Sequence, residues 1–265
     1  MPNRIIQKFA ELHSKNKKAL IIYITAGDPR LRVTEQLVSA LERAGVDIVE
    51  LGIPFSDPLA DGPTIQAASQ RALLRGVSLE GIFQSVVRIR KESQIPLALM
   101  SYYNPIFHYG EEKFVTRAIK VGVDGLIIPD LPPEEAQGLI RAARKVDLAT
   151  VFFMAPTTTL SRMRKIAKFS TGFIYYVSLT GVTGARDRLA QTIASQVRQA
   201  KRLTHTPICV GFGVSTPQQV RSIARWADGV IIGSALIKEI EKNKKKPHFI
   251  PKVSQFVQAL GSGLT

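Results

Sequence analysis

Short apolar runs alternate with amphipathic stretches from one end of the chain to the other. Eight runs read as strands: residues 19–25, 47–51, 97–101, 125–128, 149–153, 173–177, 208–211 and 229–232. Runs such as LIIYIT and FIYYV are almost continuously apolar, the pattern of strands covered on both faces in a parallel sheet. Between them, stretches such as 31–44, 111–121, 133–145 and 188–201 space their apolar residues three and four apart, which predicts helices lying over that sheet. An additional helix is predicted at 5–13, before the first strand. Helices stop before the phrases AGVD (44–47) and VGVD (121–124), and a strand follows each time, so glycine serves the helix C-terminus and the phrase marks a repeating unit. Eight strand–helix units with no divergent half predict a closed (β/α)8 TIM barrel rather than an open doubly wound sheet. The expectation is one catalytic barrel domain over residues 1–265.

Composition narrows the class without changing the fold. The 265 residues are 45% hydrophobic and 22% charged, enough to fill one large core. One cysteine, Cys209, leaves no partner for an intramolecular disulfide, and residues 1–30 show no apolar signal core behind a basic start. No apolar run approaches the roughly 18–20 residues that span a bilayer, so a soluble, cytoplasmic protein without membrane association is expected. The net charge of +15 admits an anionic partner, but the basic residues are scattered over predicted helix faces. Solvated helix faces are the simpler reading, and no nucleic-acid partner is expected.

In barrels of this kind chemistry occurs where strands end and βα loops begin. Glu50 interrupts the apolar second strand, and burying a carboxylate is costly unless the group is paired or used. It is either a structural acid bonded to a neighbouring loop or a proton-transfer group with its pKa held near neutrality. Asp57 and Asp61 follow in a loop with three prolines, which fixes turns and leaves acids at the surface. After strands seven and eight, Gly211, Gly213, Gly233 and Ser234 offer either tight turns or backbone N–H groups for a phosphate. The small, polar, glycine-punctuated stretch 178–187 suits a closing loop or an ordinary one.

Residues 50–66, ELGIPFSDPLADGPTIQ, resemble the signature of the tryptophan synthase α-subunit family. YITAGDP (23–29), YNP (103–105), IPDLP (128–132), GVTG (181–184) and GFG (211–213) are similar to further segments of that family in the same order, so the resemblance covers essentially the whole chain. It implies a lyase of tryptophan biosynthesis that cleaves indole-3-glycerol phosphate to indole and glyceraldehyde 3-phosphate. Glu50 matches the acid/base that protonates indole C3 and assists proton removal from the glycerol hydroxyl, and Asp61 the acid that bonds the indole N–H. Such a division is physically sensible, because protonation at C3 builds positive charge on the ring nitrogen. The resemblance also gives Gly184, Gly213, Gly233 and Ser234 to the phosphate, sets Phe212 beside the substrate, and lets Thr183 bond Asp61 on loop closure. Tyr23, Met100, Tyr175 and Ile232 are implied to line the indole pocket, although read as residues Met100 and Ile232 serve equally as barrel filler.

The family further implies a β subunit that carries pyridoxal phosphate and receives indole, in an αββα heterotetramer, with no cofactor in this chain. Asp57 and residues 103–108 and 129–132, including Asn104, Pro105, Asp130 and Pro132, match its interface regions. A free-standing lyase that needs no β subunit shares the same catalytic residues, and a silent barrel that only activates a partner is opposed by intact Glu50 and Asp61. No lysine stands at a strand end for imine chemistry. His13, His108, His205 and His248 are too dispersed for a metal site, so no metal is expected. No GxGxxG follows the first strand, and redox chemistry has no support.

Overall fold

The computed structural model describes residues 2–177, 186–211 and 213–264, of which 186–191 are described by their backbone alone. The strands are β1 (Ala19–Thr25), β2 (Ile48–Gly52), β3 (Leu97–Met100), β4 (Gly125–Ile127), β5 (Ala149–Met154), β6 (Ile174–Val177), β7 (Ile208–Gly211) and β8 (Gly229–Ile232). Each runs parallel to the next, and β8 closes on β1, giving the (β/α)8 barrel. The helices are α1 (Arg4–Ser14), α2 (Leu31–Arg43), α3 (Pro63–Leu73), α4 (Leu79–Arg90), α5 (Tyr103–Tyr109) and α6 (Glu111–Val121), then α7 (Gln137–Lys145), α8 (Leu160–Phe169), α9 (Arg186–Lys201), α10 (Pro217–Ala224), α11 (Ser234–Asn243) and α12 (Phe249–Gly261). Helix α7 starts four residues later than its apolar spacing predicts. Residues 133–136 instead form a turn in which the Pro132 carbonyl accepts the N–H groups of Glu135 and Ala136.

Alternation along each strand sorts the apolar residues into two layers. Leu20, Ile22, Ile24, Val49, Leu51, Leu97 and Leu99 point outward under the helices, while Ala19, Ile21, Ile48, Ala98, Ile127, Val151 and Cys209 point into the barrel. Each Val, Leu or Ile among them, once buried, contributes roughly 1.5–3 kcal/mol, so the two layers together drive closure.

Helix α1 plugs the end of the barrel where the strands begin. Its Ile5, Phe9 and Leu12 join the inner layer. Asn3 caps the helix by accepting the Ile5 N–H at 3.0 Å and fastens it by donating to the carbonyls of Asp124 and Asp147 at 2.6 and 2.8 Å.

The recurring Gly-Val-Asp phrase has a structural meaning. Gly45 (φ +90°) and Gly122 (φ +100°) turn the chain out of α2 and α6 in a conformation that disfavours a side chain. Two residues later Asp47 accepts the Leu20 N–H at 2.8 Å, and Asp124 accepts the Leu97 N–H at 2.8 Å. Asp228 does the same for Ile208 at 3.0 Å. Each aspartate thus satisfies the first free donor of the preceding strand and sets the stagger of the barrel. With this end closed by α1, the open mouth lies at the strand C-termini.

Candidate active site

Glu50 sits mid-strand on β2, level with Tyr23 of β1 and Ala98 of β3. Its side chain is wholly buried, and neither carboxyl oxygen has a hydrogen-bond partner among the described residues. Burial alone pushes its pKa up to about 8, because the apolar wall disfavours the charged form. Among the described residues nothing bonds this acid as a structural carboxylate would be bonded.

Asp61 approaches from the β2–α3 loop and is partly buried. Burial raises its pKa to about 6, an effect opposed by a hydrogen bond from the Tyr102 hydroxyl. That hydroxyl also accepts the Ala60 N–H at 2.8 Å, and the Tyr102 ring stacks on Phe55 with centroids 5.2 Å apart. Gln66, in the first turn of α3, donates to the Asp61 carbonyl at 2.8 Å. The loop acid is therefore held at its backbone and at its carboxyl. Behind it, Arg71 clamps α3 to the end of β1 by a bidentate pair with buried Asp28, at 3.0 and 2.6 Å.

Both carboxylates act electrostatically on the same two phenols, Tyr23 and Tyr175, whose pKa values rise with burial first and then with the nearby acids. Both acids thus lie near the same two phenols. The Tyr23 hydroxyl is 3.3 Å from the Thr25 hydroxyl and lies over Gly52, where a Cβ would come within 2.0 Å of it. Met100 packs against Tyr23, and Phe153 faces Tyr175 with ring centroids 4.9 Å apart. Tyr23, Met100 and Tyr175 thus gather around Glu50 in an apolar chamber.

Ile232 is not brought there. It is fully buried in the outer layer with Leu20 and Ile22, while Ile231 occupies the inward position of β8. A Cβ added at Gly211 would meet Ile231 Cβ at 2.8 Å and the Tyr175 hydroxyl at 2.9 Å, so Ile231 and Tyr175 share one wall. The expectation for Ile232 is corrected by one position. Strand periodicity carried the signal, since Gly229, Ile231 and Gly233 alternate inward and Gly233 abuts the Tyr23 ring.

Gly233 follows β8 and caps α11, and among the described residues no side-chain cap bonds the first N–H groups of that helix. Helix α11 therefore presents its positive end beside the chamber, with Ser234 as its first residue, an arrangement suited to an anion. Gly213 adopts φ +72° just beyond β7. Thr183, Gly184 and Phe212 lie outside the described residues.

Around the same mouth, Asp57 is exposed and bonded to Ser56, and Asn104 is exposed on α5. Pro105 and Pro132 are half-buried. Asp130 accepts the Tyr103 N–H at 2.9 and 3.1 Å, tying the β4 loop to the start of α5. Sequence reasoning overlooked Tyr102, gave Gln66 and Leu59 no role of their own within the 50–66 signature, and took Phe107 only as part of the 103–108 interface region. Leu59 is 91% exposed and Phe107 64% exposed, unusual for large apolar side chains on an ordered surface. A leucine inside the acid-and-proline loop was the available signal.

Residues 9–262 match the family model described as tryptophan synthase alpha chain. A tryptophan synthase alpha chain of Geotalea daltonii is 50% identical over 262 residues, covering 98% of this chain and 98% of that one. One from a Thermoanaerobacter species is 47% identical over 258 residues, covering 97% and 98%. Among solved structures, the tryptophan synthase subunit alpha of Legionella pneumophila superposes with a TM-score of 0.92 at 38% identity over 100% of this chain and 99% of that one. A tryptophan synthase chain from M. tuberculosis, in an aminoacrylate-bound form, gives 0.89 at 32% identity over 99% and 100%.

Proposed function

The chain belongs to the tryptophan synthase alpha chain family, and on that premise we propose that Glu50 and Asp61 are the two working carboxylates in the cleavage of indole-3-glycerol phosphate. The observation that carries this reading is the unpartnered, wholly buried Glu50 carboxyl facing an aromatic chamber. A pKa near 8 keeps Glu50 protonated at neutral pH, ready to donate. With a pKa near 6, Asp61 is ionised under the same conditions.

Glu50 gives its proton to indole C3, and the ring nitrogen gains positive charge, which the Asp61 carboxylate stabilises through the indole N–H. The Glu50 carboxylate then takes the proton of the glycerol hydroxyl as the carbon–carbon bond breaks. Its electron pair returns to the indole ring, the hydroxyl carbon becomes the aldehyde of glyceraldehyde 3-phosphate, and Glu50 is again protonated. The unbonded state of Glu50 suits this double duty, because no resident hydrogen bond has to break. Tyr23, Met100, Tyr175 and Ile231 enclose the indole, and Gly213, Gly233 and Ser234 receive the phosphate, joined by Gly184. Phe212 and Thr183 complete the pocket in this reading, Thr183 by orienting Asp61.

The family works with a β subunit, and the exposed Leu59 and Phe107 support docking at the barrel mouth, flanked by Asp57, Asn104, Pro105, Asp130 and Pro132. The assembly proposed is an αββα heterotetramer in the cytoplasm, formed by a one-domain barrel, with pyridoxal phosphate in the β subunit alone. No described helix is long and apolar enough to cross a membrane. Indole release from indole-3-glycerol phosphate, measured with and without added β subunit, tests the reading. Slow release that rises on β addition supports it, whereas no indole under either condition overturns the activity. Fast release indifferent to the β subunit favours a free-standing lyase.

A further inference from the structure

We propose that a groove between α1 and the α9–β7 connection, at the barrel end opposite Glu50, binds a small organic anion made of an apolar body with a phosphate or carboxylate. The groove encloses about 670 Å³, within the range of roughly 300–1,000 Å³ that holds small ligands. Its apolar side comes from Ile6, Phe9 and Leu12 of α1. Ile6 is 44% exposed at the rim, so this face of α1 carries apolar surface that the core does not use.

The polar side carries His13, Lys17, Lys18, Lys201 and His205 against a single carboxylate, Asp228. That carboxylate is already engaged: one oxygen accepts Lys201 at 2.6 Å and lies 3.9 Å from Lys18, and the other accepts the Ile208 N–H at 3.0 Å. Lys201 and Lys18 therefore share this acid, Lys17 adds a third ammonium to the lining, and the cleft lining keeps an excess of positive charge.

Basic residues also recur around this end of the barrel. Barrel helices run opposite to the strands, so their C-termini surround this end. The last turns of α2, α4, α6, α7, α8, α9 and α10 each bear Arg or Lys. Acids in a first turn, at the mouth end, occur in α4 and α6 and, by sequence, at Asp187 of α9. Helix dipoles favour each terminal cation by about 0.3–1 kcal/mol, which explains their placement, and the lysines lining the cleft itself are what attract an anion. The substrate phosphate sits at the mouth, so its binding leaves this positive end unexplained. A cleft of this volume with an apolar side fits a compact ligand better than a long polyanion.

Calorimetric titration of the full chain with phenyl phosphate tests the proposal, using Lys17→Glu/His205→Glu and the milder Lys17→Ala/His205→Gln. Both positions are exposed and far from the mouth, so indole formation by the variants stays unchanged and reports an intact barrel. The expected result is two binding components in the parent chain, one weakened at least tenfold in the charge-reversed variant and less in the milder one. Superimposable isotherms overturn the proposal. It is overturned equally if phenyl phosphate binds only at the mouth, or if a single-stranded oligonucleotide binds in a Lys17-dependent way while phenyl phosphate does not.

Discussion

The Tyr102 hydroxyl bonds the carboxyl of Asp61 while accepting the N–H of its neighbour Ala60 at 2.8 Å, so one phenol fixes both the loop and its acid. Tyr102 stands two residues beyond β3, and its ring rests on Phe55 of the same loop. Asp61 is thereby held beside the chamber by a neighbouring strand end. Glu50, by contrast, is held by its strand alone. The site thus contains one acid tuned by a donor and one tuned by burial.

Tyr102→Phe removes the hydroxyl that lowers the Asp61 pKa, so that pKa rises above about 6. Because the ionised form of Asp61 stabilises the charged indole, the acid limb of kcat/KM moves to higher pH. A hydrogen bond to a charged group contributes roughly 1.5–3 kcal/mol, so a loss of roughly tenfold is expected at pH 6 and a smaller one at pH 7.5. Steady-state rates across pH 5–9 check this; an unmoved acid limb removes Tyr102 from the account.

Glu50 makes stability depend on pH with a definite sign. Its folded pKa, about 8, lies above the ordinary value of 4.5, so between these limits the folded state holds a proton that the unfolded state has lost. Stability conferred by this group is present below 4.5 and declines as pH rises toward 8. Glu50→Gln keeps the volume and removes the titration. Denaturant unfolding at pH 9 is expected to show the variant more stable than the parent, by an amount on the order of a few kcal/mol, and nearly equal to it at pH 4.5. Parallel pH profiles for the two proteins would contradict the burial argument.

Ile231 and Ile232 are adjacent, both buried, and opposite in facing. Truncating either to alanine costs roughly 2–5 kcal/mol of stability. Only Ile231→Ala enlarges the chamber beside Tyr175, so only that variant is expected to raise KM or lower kcat by several-fold. Thermal melting paired with indole-release kinetics separates the two effects. Equal kinetic damage from Ile232→Ala would return the pocket to the position first expected.

The barrel was legible because eight buried strands need uninterrupted apolar runs and their helices need a three-and-four spacing, both local signals. The Gly-Val-Asp phrase was readable as punctuation. Its aspartates' bonds to the preceding strands were not, since Asp124 and Leu97 are distant in sequence. Helix α5 was hidden in a loop because seven residues are too few to establish a helical period. Glu50 stood out as a charge inside an apolar strand, whereas Tyr102 carried no local signal, its function lying in a contact across 42 residues with Ala60. The slip from Ile231 to Ile232 shows how one position along a strand exchanges the two faces of the barrel.

The most direct test is the pH dependence of kcat/KM for indole release from indole-3-glycerol phosphate, measured for the parent chain and for Glu50→Gln. The account predicts a bell for the parent, rising near 6 as Asp61 ionises and falling near 8 as Glu50 loses its proton, with activity in Glu50→Gln reduced by roughly a hundredfold or more at every pH. A parent profile that stays level through pH 9, or a Glu50→Gln chain that still releases indole at the parental rate, would contradict it.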